Sequence, residues 1–272
     1  LDKPLLVAEL GINHGGDVDK AVRMGKAAAR AGADAVKLQY YHESKLLAYR
    51  RGRGAAVTED QARLLGTSRL SLGDIQRVRD AVYPTPVFAS VFDPDDLQPY
   101  KAAGFNWVKL SVEQAQRPEM LSGAVACGFN RIFASVSNSR VDVFDKWWDW
   151  VRRPFTLLYC PTGYPVCSSA DLRLRAVRDL HDMCVKGLTV WRVGLSLHPS
   201  EDLNVYNAFA CAYGAGANVF ELHYRLEGDE DCAEKAWSVD DSELYTIRAL
   251  LCDLYSMCAG RSCDTVRGQS GV

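Results

Sequence analysis

Eight short apolar runs, each followed by a longer amphipathic stretch, set the strongest constraint on what this chain can fold into. The runs are LLVAEL (5–10), DAVKLQ (34–39), TPVFAS (85–90), FNWVKL (105–110), RIFAS (131–135), FTLLYC (155–160), WRVGLS (191–196) and NVFELH (218–223). Each has strand length, and most are almost continuously hydrophobic, as parallel strands buried on both faces must be. The stretch from Asp17 to Ala31 carries apolar residues at Val18, Ala21, Val22, Gly25 and Ala28 and stops at Gly32, which predicts a helix. Asp93 to Ala103 opens on Asp-Pro and closes before Gly104, the grammar of a capped helix. Further helices are expected at 117–127, 141–152, 171–182, 201–214 and 239–257. The second helical region is longer, and its basic run YRRGRG (49–54) is expected to be a surface loop or lid.

Eight strands alternating with helices are what a closed (β/α)8 TIM barrel requires. An open doubly wound sheet would carry a glycine-rich dinucleotide turn after its first strand, and GINHGGD lacks the G-x-G-x-x-G register. The expectation is one α/β barrel domain over residues 1–258, followed by a polar, flexible tail at 259–272. The length of 272 residues suits a barrel of one domain.

A net charge of −2 supplies no bulk attraction for nucleic acid or an anionic membrane, so any anion site must be local. No apolar run reaches the roughly 20 residues of a membrane helix. The nine cysteines are odd in number, include no CxxC pair and sit partly within apolar runs, which points to reduced thiols and a cytoplasmic protein. The opening LDKPLLVAEL is too short and too acidic for a signal peptide. The tryptophan-rich segment 141–152 and the apolar segment 201–214 are candidate faces of a homodimer.

In a barrel the C-terminal strand ends face the substrate. That rule selects Glu9, then Asn13 and His14 beyond it, Lys37 and Gln39, Lys109 with Ser111 and Glu113, Ser135, Thr162, Ser196 with His198, and Glu221 with His223. Charges inside apolar strands are costly unless paired or used. Two histidines on adjacent strands could share a metal that polarises a carbonyl. Two lysines converging with serines could hold a phosphate and a carboxylate. The same residues also have a plainer reading, with the lysines paired to Glu9 and Glu113 and the histidines hydrogen-bonded as structural groups.

The motifs resemble those of the sialic acid synthase (N-acetylneuraminate synthase-like, NeuB) family. The stretch VAELGINHGGDVDKAVRMGKAAARAGADAVKLQ resembles that family's first βαβ unit almost throughout, and FASVFDP, VKLS, LLYCPTGYP, VGLSLHPS and GANVFELHY follow in family order. The resemblance implies condensation of phosphoenolpyruvate with the aldehyde of a sugar-like acceptor, giving a 2-keto-3-deoxy acid and phosphate. It implies a divalent metal ion, typically Mn2+ with Mg2+ or Co2+ as alternatives, on His198 and His223. Lys37, Lys109, Ser135 and Ser196 match residues that hold phosphoenolpyruvate. Glu9 matches a glutamate near the sugar, Gln39 shares the motif of Lys37, and Glu221 matches an acidic residue two before the second histidine.

The sequence departs from the family at Leu197, where an aspartate is usual, and at SVEQ, where the family has serine-glycine-glutamate and Glu113 is the nearest acid. Thr162 stands where the family has asparagine or serine. EGDEDCAEKAWS replaces the family's sugar-contacting loop, with Glu234 nearest to its aspartate. The typical synthase continues into a small antifreeze-like domain with no counterpart in this sequence, so loops or another chain are expected to close the site. The phosphoenolpyruvate half is thus better preserved than the sugar half, which implies an acceptor other than an ordinary N-acetylhexosamine, or an altered activity. A metal-dependent barrel lyase, aldolase or isomerase, and a non-catalytic barrel, stay open beside the synthase reading.

Overall fold

The computed structural model describes residues 3–137, 155–185, 190–260 and 262–263. All eight apolar runs form strands: β1 (Leu5–Glu9), β2 (Ala35–Tyr40), β3 (Val87–Val91), β4 (Trp107–Leu110), β5 (Arg131–Val136), β6 (Phe155–Tyr159), β7 (Val190–Leu197) and β8 (Val219–Tyr224). They pair in chain order, all parallel, and β8 closes the circle on β1 through the register Leu5↔Val219 to Glu9↔His223. A two-residue strand, β9 (Ser238–Val239), is added beside β8. The molecule is a (β/α)8 TIM barrel.

Helices α1 (Val18–Arg30), α4 (Leu72–Val82), α5 (Leu97–Ala102), α6 (Pro118–Ala126), α7 (Arg175–Val185), α8 (Val205–Gly214) and α9 (Asp241–Ala259) connect or follow the strands. Their ends follow from local chemistry. Asp17 caps α1 by accepting from Lys20 N–H, and reciprocal capping boxes start α4 (Ser71 with Asp74) and α9 (Asp240 with Glu243). Gly32 ends the first helical unit at φ +100°, where a Cβ would meet the side chain of the buried Arg248 at 2.8 Å. The apolar residues Val205, Ala208, Phe209 and Ala212 of α8 are buried, so packing within the barrel accounts for the apolar character of 201–214. The expected helix 141–152 and most of the expected tail lie outside the described residues.

The region after β2 differs from expectation. It contains two extra helices, α2 (Glu43–Gly52) and α3 (Glu59–Thr67), ahead of α4. The basic run 49–54 is not a loop: Tyr49–Gly52 form the last turn of α2, and only Arg53 and Gly54 leave it. The arginines there suit the negative end of the helix dipole. Arg117 stacks on the Tyr49 ring, 4.3 Å from its centre, and fixes that turn against the barrel rim.

Period-two alternation sorts the strand residues into two cores. Residues such as Leu6, Ala8, Val36, Leu38 and Val108 point outward into the layer shared with the helices. Val7, Ala35, Phe88, Phe133, Leu158 and Val219 point inward and fill the barrel, with Phe88 and Phe133 stacked at 4.9 Å. Two residues further along the same strands, toward their C-terminal ends, the interior becomes polar. The inner layer closes because β7 contributes Gly194, between Leu158 and Val219 in register. A Cβ there would lie 2.2 Å from Val219 O and 2.6 Å from Leu158 Cδ2. Gly194→Ala is therefore expected to lower the unfolding free energy by about 2–3 kcal/mol, the scale of an overpacked core. Urea unfolding measures this, and an unchanged midpoint would refute the packing account.

Candidate active site

The polar layer is built by the strand positions that follow the inward apolar layer. Glu9, Lys37, Ser90, Lys109, Ser135, Cys160, Ser196 and Glu221 each stand two residues beyond an inward residue, and all are buried. Glu221 is their hub. Its Oε1 accepts from Lys109 Nζ at 2.7 Å and from Ser196 Oγ at 2.9 Å, and it pairs with Lys37 Nζ at 3.0 Å. Lys37 also pairs with Glu9 Oε2 and reaches Ser90 Oγ at 3.4 Å. Glu9 Oε1 accepts from the Gly11 N–H at 2.9 Å. Glu221 Oε2 is buried without a hydrogen-bond partner among the described residues.

Burial alone would push each of these charges toward neutrality. For Glu221 burial is outweighed by Lys109 and Lys37, which hold the carboxylate well below its ordinary range. For Lys37 the combined pull of Glu221 and Glu9 overcomes burial and holds the ammonium above its usual value. For Lys109 burial prevails despite Glu221, and its pKa is lowered. The two lysines are thus unequal. Lys37 is shared by two carboxylates, and Lys109 depends on one.

His198 and His223 stand just above this layer, with ring centres 4.9 Å apart. Burial and the neighbouring His223 hold the His198 pKa well below the usual imidazole range, so its ring is neutral. Its Nδ1 is 4.0 Å from Cys160 Sγ, and its ring lies 3.9 Å, centre to centre, from that of Tyr164. His223 behaves oppositely. Burial would lower it, but Glu234 Oε2 at 2.9 Å from Nδ1 raises it above the ordinary value. Glu234 would itself be raised by burial, yet His223 and the Ile12 N–H at 3.0 Å hold it down.

Glu234 reaches this position because the first and last loops interlock. Asn13 Oδ1 accepts from Glu234 N–H at 2.8 Å, while Asn13 Nδ2 donates to Tyr224 O and to Ser238 Oγ, each at 3.0 Å. Gly11, at φ +53°, leaves the necessary space: a Cβ there would fall 1.8 Å from Glu234 Oε2 and 2.9 Å from His223 Nδ1.

Of the residues chosen from sequence, Glu9, Lys37, Lys109, Ser135, Ser196, Glu221, His198, His223, Asn13 and Glu234 are buried together at this end of the barrel. Gln39 is half-buried one layer above Lys37. Three do not join the cluster. Glu113 lies on the turn after β4, half-buried, 3.7 Å from Arg50. Ser111 Oγ donates to Gln114 Oε1 at 2.8 Å and serves that same turn. Thr162 is exposed beyond β6. The register places Ser90 beside Lys109, a neighbour the strand-end rule passed over although Ser90 ends the run TPVFAS. Cys160, Tyr164 and Trp237 were also missed. Cys160 follows Leu158 at period two, whereas only the folded loops bring the Trp237 ring to 6.2 Å from Tyr164 and 6.4 Å from His223.

A model of the NeuB family matches residues 24–258. The chain belongs to the NeuB family. Relatives similar to it over most of its length include the N,N'-diacetyllegionaminic acid synthase of Campylobacter jejuni, 22% identical over 90% of this chain and 74% of that protein. A pseudaminic acid synthase of the same species is 24% identical over 89% of this chain and 71% of that protein. Among solved structures, an N-acetylneuraminic acid synthetase from Leptospira borgpetersenii superposes with a TM-score of 0.78 at 23% identity, covering 99% of this chain and 88% of that one. A truncated 3-deoxy-D-arabino-heptulosonate 7-phosphate synthase from Thermotoga maritima shares the fold more distantly, with a TM-score of 0.65 at 12% identity, covering 93% of this chain and 87% of that one. Among the described residues no helix of this NeuB-family chain is long and apolar enough to cross a membrane.

Two stability measurements probe the site. Glu221→Gln removes the carboxylate that holds Lys109 and should cost about 3–5 kcal/mol, as loss of one partner of a buried ion pair does. Adding Lys109→Met should restore at least half of that loss, and equal stability of the single and double variants would refute the dependence of Lys109 on Glu221. The second concerns His14, which is buried, accepts from Gly16 N–H at 3.1 Å and is lowered by burial to a pKa of about 4. Below the unfolded value of 6.5 the unfolded chain takes up a proton that the folded chain refuses. His14 therefore favours folding above that pH, and the benefit declines as pH falls toward 4 at up to about 1.4 kcal/mol per pH unit. Unfolding free energies measured across that window should fall less steeply in His14→Asn, and equal slopes would refute the assignment.

Proposed function

We propose that this protein condenses phosphoenolpyruvate with the aldehyde of a sugar-like acceptor, releasing phosphate and a 2-keto-3-deoxy acid. The observation that carries the reading is the buried hub around Glu221, where two lysines and a serine converge directly below two neighbouring imidazoles. Membership of the NeuB family and similarity to sugar-acid synthases support it.

Lys37 and Lys109 would hold the phosphate and carboxylate groups of phosphoenolpyruvate as two fixed point charges, with Ser90, Ser135 and Ser196 orienting its oxygens. The apolar layer of Phe88, Phe133 and Leu158 forms a floor that excludes water from below. C3 of phosphoenolpyruvate would attack the aldehyde carbon. Water would add at C2, and the tetrahedral intermediate would lose phosphate by C–O cleavage. Glu9, oriented by Gly11 N–H, and Gln39 would face the acceptor.

The donor set fits a divalent cation, with Mn2+ the first choice and Mg2+ or Co2+ as alternatives. The neutral His198 has a lone pair to give. Glu234 holds His223 through Nδ1 and leaves Nε2, a carboxylate–histidine arrangement common beside metals. Among the described residues no three His, Cys, Asp or Glu side chains form a metal-binding group, so the two imidazoles would leave other positions for substrate or water. When bound, the ion would polarise the acceptor's carbonyl oxygen.

The test is thermal unfolding with phosphoenolpyruvate, with and without Mn2+, followed by assay of inorganic phosphate on adding N-acylated aldehyde sugars. A ligand at 100-fold its Kd stabilises the native state by about 2.7 kcal/mol. Wild type should respond to phosphoenolpyruvate, and the further Mn2+ increment should vanish in His198→Ala/His223→Ala. A folded wild-type protein that responds to neither ligand would overturn the reading.

A further inference from the structure

We propose that Cys252 and Cys263 form a redox-sensitive disulfide site, oxidised by a low-molecular-weight disulfide, on the face of the barrel opposite the active site. The two Sγ atoms lie 2.8 Å apart, closer than unbonded sulfur atoms normally pack. Cys252 belongs to α9, and Cys263 comes after that helix has ended. The meeting is built by the helix stop. Gly260 adopts φ +62° and donates its N–H to Ser256 O at 3.0 Å, which stops the helix three residues before Cys263.

Arg248 supplies a second, independent contact. It lies one helical turn before Cys252, is 1% exposed, and its Nη2 approaches Cys263 Sγ at 4.0 Å. Its Nη1 donates to Asp34 Oδ2 at 2.8 Å and to Pro4 O at 3.2 Å. Asp34 Oδ2 in turn accepts from Leu6 N–H at 2.8 Å. Asp34 and Pro4 immediately precede β2 and β1, so the cysteine pair adjoins the clamp that fixes the N-terminal ends of the first two strands.

The exchange balances without any other reagent. The thiolate of one cysteine attacks a sulfur of the low-molecular-weight disulfide, forming a mixed disulfide and expelling one thiolate. The second cysteine attacks the protein-bound sulfur, the intramolecular S–S bond forms, and a second thiolate leaves. The two cysteine protons end on the two released thiols. The pair loses two electrons and the reagent gains them. The resulting bond ties residue 263 to α9 beside Arg248 and closes a short loop through Gly260.

The experiment treats the full chain with oxidised glutathione and maps its peptides under non-reducing conditions. The expected product is a Cys252–Cys263 cross-linked peptide that dithiothreitol reverses. In Cys252→Ser, Cys263 should instead retain glutathione, because the resolving thiol is gone; Cys263→Ser should leave glutathione on Cys252. The exposed Cys167 and Cys211 report that the reagent has acted. Glutathione on those two, with Cys252 and Cys263 still recovered as thiols, would overturn the proposal. So would cross-linking of either cysteine to the exposed Cys258 in preference to the other.

Discussion

The carboxylate of Glu221 is the interaction on which the rest of the active end depends. One oxygen receives two ammonium groups and a hydroxyl from three different strands, inside a barrel where each charge alone would be untenable. This forces a definite arrangement. β2 and β4 must present their lysines inward at the same height, β7 must bring Ser196 alongside β8, and the layer beneath must be dry. The Gly194 gap and the stacked phenylalanines provide that layer. Charge pairing and hydrophobic packing are thus successive storeys of one structure, and neither could be moved by a single residue without inverting the alternation of a strand.

The two histidines show how neighbouring groups of one type are made different. Both are buried, and burial pushes both toward neutrality. Only His223 has a carboxylate at its Nδ1. The difference arises from a loop between β8 and β9, which carries Glu234, and from a glycine after β1 that makes room for it. The strand ends place the imidazoles, and a loop carboxylate raises the pKa of one of them.

Most of the barrel was legible in the sequence because continuous apolar runs of strand length have few alternatives in a chain that alternates them with amphipathic stretches. The inward polar layer was legible for the same reason: Lys37, Lys109, Ser196, Glu221 and the histidines inherit their direction from strand periodicity. Legibility ended where periodicity ended. Glu113 and Ser111 follow β4 as part of a turn, and the turn, not the strand, aims them at Arg50 and Gln114. Thr162 leaves the barrel on a loop. The run at 49–54 looked like a loop because its glycines and arginines break no apolar pattern, yet it completes α2 against Arg117. Family resemblance, not spacing, drew attention to Glu234, and its bond to His223 is a product of tertiary folding.

The interlock between the first and last loops also governs when the site comes into being. The bond from Ile12 to Glu234 spans 222 residues and that from Asn13 to Tyr224 spans 211, so neither can form early in synthesis. As the chain leaves the ribosome, the β1 loop must wait with its partners missing until β8 and the loop after it have emerged. A barrel truncated before that point could gather most of its strands and still lack the neighbour that raises the pKa of His223. The final arrangement of these residues is therefore deferred to the closing of the circle, and a half-made chain carries the parts of the site without their neighbours.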